Sequence, residues 1–318
     1  MSENNFTQKK LRVKFDLVDN GFNDGDVSLT YNGLRVSCQI SNAGFESGVM
    51  CSLRIEGMSL SDMNRLSVLQ TGVIQQSMNT VTVSASDGGP WQDVFSGGVL
   101  EAFADFNGAP ETAFSVMAQT MAIPSAVVIP STSFADSVSV AVVAKSIADK
   151  AGLSFQNNGV TTVLAGGVTY NGSAAEQLHA LASAARMTYN ISMNVLSIWP
   201  EQISVGDGKG AIEISSDAEM FGYPAYSQYG VSLRTLFNNL IGLRTPIKLS
   251  SEHAPAAWVN QYGQMNGLSK QVLHLPSNGI WSVIGVKHDL QSETPDGQWT
   301  TYIEAARPDS ANQVAYVR

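Results

Sequence analysis

Paired carboxylates are the residues of this chain whose types and spacing could do chemistry. Glu101 with Asp105, and Glu213 with Asp217, each stand four residues apart. Hydrolysis of a glycosidic bond needs only two carboxyl groups, one acid and one base or nucleophile. No neighbouring motif marks either pair, and surface carboxylates are the simpler reading of both. Other chemistries lack their parts. There is no G-x-S-x-G elbow and no H-E-x-x-H in the sequence. His179, His253, His274 and His288 show no metal-ligand spacing among themselves or with cysteine. His288 falls in phase with Ile284, Val286 and Leu290, which predicts a core histidine, and His179 beside Leu178 is expected at a packed boundary. Gly206-Asp207-Gly208-Lys209-Gly210 lacks the Walker spacing and the Ser/Thr after Lys, so a turn is expected there. Residues 20–31 put Gly25 in the sixth place of a calcium loop, but Phe22 and Tyr31 stand where oxygen ligands belong. Trp91, Trp199, Trp258, Trp281 and Trp299 could stack on sugars, although Trp281 and Trp299 are expected to pack across a terminal strand pair. The expectation is a protein with no catalytic residues, no cofactor and no metal.

The bulk of the chain points to assembly. At 318 residues it should hold two or three domains. Charged residues make up only 14%, against about 25% in an average soluble domain. Charge is depleted at the centres of protein interfaces, so this surface suits burial against other subunits. Net charge is −9, and residues 66–144 contain no Lys or Arg while carrying Asp87, Asp93, Glu101, Asp105, Glu111 and Asp136. Phosphate binding needs cations, so this stretch should not hold nucleic acid. Cys38 and Cys51 are the only cysteines and fall in predicted strands, where buried free thiols are expected. The first ten residues are polar and lack the apolar core of a signal peptide, and no apolar run reaches the length of a membrane helix. Three sequons, at Asn5, Asn171 and Asn190, carry no meaning without secretion.

The elements that must position these residues are mostly strands. Residues 11–18 alternate, with Leu11, Val13, Phe15 and Leu17 on one face. Asn32-Gly33 predicts a hairpin between 27–30 and 34–40. Further strands are expected at 49–55, 80–85, 95–106 and 112–120, with a short helix entered at Ser59. Past Pro124 and Pro130 the period changes to that of helices. Asp136 can cap a helix presenting Val140, Val143, Ala144, Ile147, Ala148 and Ala151, stopped by Gly152. Ser173-Ala174-Ala175-Glu176 is a capping box opening a second helix with the stripe Leu178, Leu181, Ala182 and Ala185. Strands should flank these helices at 161–164 and 189–198 and resume at 211–214, 231–236 and 246–249. The last two runs, 278–290 and 299–306, read as an antiparallel pair joined at Thr294-Pro295-Asp296-Gly297, where Pro presets φ and Gly accepts a positive one.

Taken in order, several segments resemble a phage tail baseplate hub family. They are 57–67, 94–102, 106–110, 174–185, Phe221-Gly222-Tyr223-Pro224, 230–233, 249–251, and the terminal 278–281, 288–290 and 297–299. Asn238-Asn239 departs from the Asn-Pro common in such families. The resemblance spans residues 11–307. It implies an α+β, mainly β fold with two tube-protein-like β-barrel domains, 1–122 and 201–318, flanking a small central α+β domain at 123–200. It further implies a homotrimer bridging a tail tube ring to a central spike, among other baseplate proteins. Such a virion protein is made in the bacterial cytoplasm and its ring passes phage DNA without tight binding. Asp93, Glu101 and Asp105 are then candidates for lining that channel. Three other readings stay open: a hub or spike part of a tailocin or secretion-type injection apparatus, a cell-wall glycan hydrolase, and a glycan-binding tail module.

Overall fold

The computed structural model describes residues 7–17, 28–42, 44–67, 78–203, 209–226, 230–251 and 278–307. The fold is mainly β. The chain forms two compact units: Met1–Ile40 with Phe45–Glu201 and Leu290–Gln298, and Ser41–Gly44 with Gln202–Asp289 and Trp299–Arg318.

The first unit begins with β1 (Lys10–Asp16), β2 (Ser28–Asn32), β3 (Arg35–Asn42) and β4 (Met50–Glu56), then α1 (Leu60–Leu66), β5 (Thr80–Ser86), β6 (Gln92–Asp105) and β7 (Ala113–Gln119). The strands are ordered β3-β4-β7-β6-β5-β1-β2. The alternation of β1 is realised: Leu11, Val13 and Phe15 are buried opposite Ala85, Val83 and Val81 of β5. Phe15 meets Phe114 edge-on at 6.3 Å and Tyr31 at 6.2 Å. Each such side chain taken out of water stabilises the fold by roughly 1.5–3 kcal/mol.

The Asn-Gly turn is present, with Gly33 at φ 71, but it does not make the expected hairpin. β2 pairs with β1, and β3 with β4, so the turn joins the two ends of the strand order. Six inter-strand gaps would span about 29 Å in a flat sheet. The Gly33-Leu34 link reaches no more than about 11 Å. The sheet therefore curls until its end strands meet at this turn.

After β7 come α2 (Ala122–Ala126), β8 (Thr132–Phe134), β9 (Val138–Ser139), α3 (Val140–Lys150), β10 (Ser154–Asn157), β11 (Val163–Leu164), β12 (Val168–Tyr170), α4 (Ala174–Ala185), β13 (Met187–Ser192) and β14 (Val195–Pro200). α2 contains Pro124 in its first turn, where the missing N–H of Pro has no intrahelical partner anyway. The predicted helix stripes are the buried ones: Val140, Val143, Ala144 and Ile147 of α3 pack with Leu178, Leu181 and Ala182 of α4. The capping box at Ser173 and Glu176 is complete, with both reciprocal hydrogen bonds made. The cap of α3 is Ser139, whose Oγ accepts the Val142 N–H, and not Asp136, because the backbone turns helical only at Val140. The single strand expected at 189–198 is a hairpin of β13 and β14, turned by Met193 and Asn194 at φ 50 and 58. β10 joins it in parallel, giving the order β10-β14-β13.

The second unit contains β15 (Ile212–Ser215), β16 (Ala225–Tyr226), β17 (Val231–Leu236), β18 (Pro246–Ser250), β19 (Gly279–Ser292) up to Asp289, and β20 (Trp299–Ala306). β16-β17-β20-β19 are consecutive neighbours, and β18 pairs antiparallel with β19 and parallel with β15. Ile214, Val231, Leu233, Ile247, Leu249, Trp281, Val283 and Ile303 form its core. The turn after β19 carries its positive φ at Glu293 and Asp296 rather than at Gly297. Gly297 is needed for a close approach instead: a Cβ there would lie 3.0 Å from the Gln291 Cβ and from the Thr294 carbonyl oxygen.

Candidate functional site

The feature of the first unit that local backbone geometry singles out is the solvent face of β6. Two β-bulges interrupt its pairing, one against β5 between Val83 and Ser84 and one against β7 between Val99 and Glu101. Phe95 stands opposite Val83, yet Ser84 is opposite Asp93, where an unbroken register would put Val94. Likewise Gly98 is opposite Gln119 and Glu101 opposite Met117, where residue Leu100 would otherwise stand. A bulge inserts one residue and re-aims the side chains beyond it. Each bulge here brings an acid to the outer face, while Val94 and Val99 are buried. Asp105 follows Glu101 on the same face by simple alternation.

Their surroundings differ. The Ser84 Oγ donates to Asp93 at 2.6 Å. Asp105 accepts from the Asn107 backbone N–H at 3.0 Å and from the Arg54 guanidinium at 3.0 Å. The Asn107 N–H, and after it Arg54, hold its carboxyl below the usual carboxylate range. Arg54 also contacts Glu56, which pairs with Arg35. The stretch empty of Lys and Arg in sequence is thus supplied with a cation at Asp105 by Arg54 of β4 and at Trp91 by Arg12 of β1. Met50 of β4, Phe103 of β6 and Met117 of β7 are exposed.

The hydrolase geometry is not met. Four residues along a strand separate Glu101 and Asp105 by about 13 Å of backbone, beyond the ~5–9.5 Å between paired glycosidase carboxyls. Glu213 sits 2.7 Å from the Lys248 ammonium, whose hydrogen bond lowers its pKa, and Asp217 accepts from the Ser216 hydroxyl. A general acid at neutral pH needs the opposite shift.

Histidine and tryptophan are placed by packing. His288 is buried in the second unit, hydrogen-bonded through Nδ1 to the Thr301 hydroxyl at 2.9 Å and edge-on to Phe237 at 5.2 Å. Burial lowers its pKa to about 4. His179 is not at a packed boundary: its side chain is 69% exposed and meets the Glu46 carboxylate at 3.0 Å. It falls just outside the buried stripe of α4. Trp91 is partly exposed, but the Arg12 guanidinium covers its ring at 4.1 Å. Trp199 meets Phe45, Trp299 meets Phe237, and Arg307 lies over Trp281. No sugar-stacking row results among the described residues. Among them too, no three His, Cys, Asp or Glu side chains cluster as metal ligands, and no helix is long and apolar enough to cross a membrane. His253, His274, Trp258, Asn5 and most of the segments 20–31 and 206–210 lie outside the described residues.

The fold of this mainly β chain is shared with phage tail proteins. The 43 kDa tail protein of prophage MuSo2 from Shewanella oneidensis superposes with a TM-score of 0.55 at 11% identity, over 96% of this chain and 98% of that one. A tail protein from Neisseria meningitidis MC58 gives 0.55 at 8% identity, over 94% and 99%. The chain matched in the Francisella PdpA–VgrG complex gives 0.53 at 8%, covering 95% of this chain and 58% of that one. Residues 10–262 match the baseplate hub gp41 family. The chain belongs to that family, in agreement with the resemblance read from its motifs. No curated protein matches it in sequence.

Proposed function

We propose that three copies of this chain form the central hub of a phage tail baseplate, joining the tail tube ring to the central spike and surrounding the channel through which DNA leaves. The observation that carries this reading is the family match over residues 10–262. In this reading the curled sheet of the first unit is one tube-like barrel and the strands of the second unit are the other. Residues 1–122, 123–200 and 201–318 are then the two barrel domains with the α+β domain between them. Asp93, Glu101 and Asp105 face the lumen. The two bulges support that role, since they turn acids outward at positions where Val94 and Leu100 would otherwise stand. Phosphates passing such a face meet carboxylates, while Arg35 and Arg54 are already engaged by Glu56 and Asp105. Trimerisation would pair sheet edges across subunits and bury surface that is poor in charge. The partners are the tube ring, the spike and neighbouring baseplate proteins, and no membrane insertion is involved.

A second reading is a hub of a secretion-type injection apparatus, favoured by the fold shared with the Francisella VgrG complex. Light scattering on the purified native protein, followed by co-sedimentation with the tube and spike proteins of the same particle, tests the hub. A trimer that sediments with both is expected. A monomer that joins neither partner would sink it.

A further inference from the structure

Cys38 on β3 and Cys51 on β4 have their sulfurs 3.8 Å apart, and both are almost wholly buried. We propose that this pair is an oxidation-closed staple: once the folded protein leaves a reducing compartment, a small peroxide converts the two thiols to an intrachain disulfide. The proposal draws on the hub reading only for its setting, a particle released from a reducing cytoplasm.

Three observations carry it. The strands are neighbours, so shortening the gap to the ~2.05 Å of a disulfide calls for side-chain rotation rather than strand separation. The chain has no third cysteine to mispair within it. The segment that the bond would close holds the tip joining the two strands, and that tip is already seated on the α+β part of the first unit. There the Glu46 N–H donates to the Tyr189 carbonyl at 3.0 Å, Phe45 meets the Trp199 ring at 6.1 Å, and the Glu46 carboxylate meets His179. A bond at the base of this loop would restrict the unfolded chain while leaving the seated tip where it is.

The chemistry balances with the peroxide as two-electron oxidant. One thiol ionises, its thiolate attacks a peroxide oxygen, the O–O bond breaks, and a sulfenic acid and hydroxide form, the hydroxide taking up the proton the thiol released to leave water. The second sulfur then attacks the sulfenic sulfur. The S–S bond forms, the S–O bond breaks, and the departing hydroxide takes the remaining thiol proton as water. Burial, and then the hydrogen bond shared with Cys38, push the Cys51 thiol up. The reaction is accordingly slow at neutral pH and faster in mild alkali.

The purified full chain is treated with hydrogen peroxide at pH 8 while folded, quenched with catalase, then denatured and titrated for thiols. The titre is expected to fall from two per chain to none, with the intact mass lower by two hydrogens. The linked peptide should contain Cys38 and Cys51, and Tm should rise by roughly 5 °C. Cys51→Ala, treated alike, should show no link and no rise. Two surviving thiols, a chain-to-chain dimer, sulfinic acid in place of the link, or the same rise in Cys51→Ala would each overturn the staple. None of these outcomes depends on whether the chain trimerises.

Discussion

The two units bury different chemistry behind similar strand patterns. In the first, the buried Cys51 and Tyr189 and the half-buried Tyr31 are each raised above their ordinary pKa chiefly by burial. In the second, His288 is buried with its pKa lowered to about 4. All four are kept neutral, because low-polarity surroundings penalise charge. The consequences for pH are opposite. A thiol or phenol with a raised native pKa stabilises the fold below its unfolded pKa, and that contribution is lost as pH rises past it. A histidine with a lowered native pKa stabilises above its unfolded value and loses that contribution as pH falls toward 4. The first unit should therefore be the alkali-sensitive half and the second the acid-sensitive half.

Core truncation breaks this comparison most forcibly. Phe114→Ala in the first unit and Trp281→Ala in the second should each cost about 3–5 kcal/mol, since both side chains are buried. Denaturant unfolding followed by hydrogen exchange should show each loss in its own unit; equal loss in both from either substitution would mean that the halves unfold as one cooperative body. Next comes acid. Between about pH 6.5 and pH 4 unfolded His288 binds a proton that the native chain does not, so the second unit should lose roughly 3 kcal/mol. His288→Gln should flatten that slope, and an unchanged slope would assign it to other groups. Ser173→Ala removes one arm of the capping box and should cost the first unit about 1 kcal/mol by the same unfolding assay. Smallest is Asp105→Asn: its cationic partner Arg54 is well exposed and the pair is screened by solvent, so thermal unfolding should show no measurable change.

Legibility in the sequence followed the range of the interactions. Features fixed by residues close in the chain were readable: the alternation of β1, the stripes of α3 and α4, the capping box at Ser173, and β17 over Val231–Leu236. His288 was also placed correctly by its phase, as were the two buried thiols. What failed depended on distant partners or on unusual backbone. Asn32-Gly33 is a sound turn signal, but which strands it joins into a ladder is decided by β1 and β4. Met193-Asn194 turns a hairpin with a methionine at positive φ, a position where side-chain chemistry gives little warning. The candidate face was legible only as a charge gap. The bulges that set Asp93 and Glu101 outward, and the approach of Arg54 to Asp105, arise from cross-strand register that no local pattern encodes.

The most direct test of the account is an electron-microscopy reconstruction of the native assembly at side-chain resolution. The account predicts three copies around an axis with an open centre, and Asp93, Glu101 and Asp105 of every copy facing it. A closed centre, or those three side chains turned away from the axis, would contradict it.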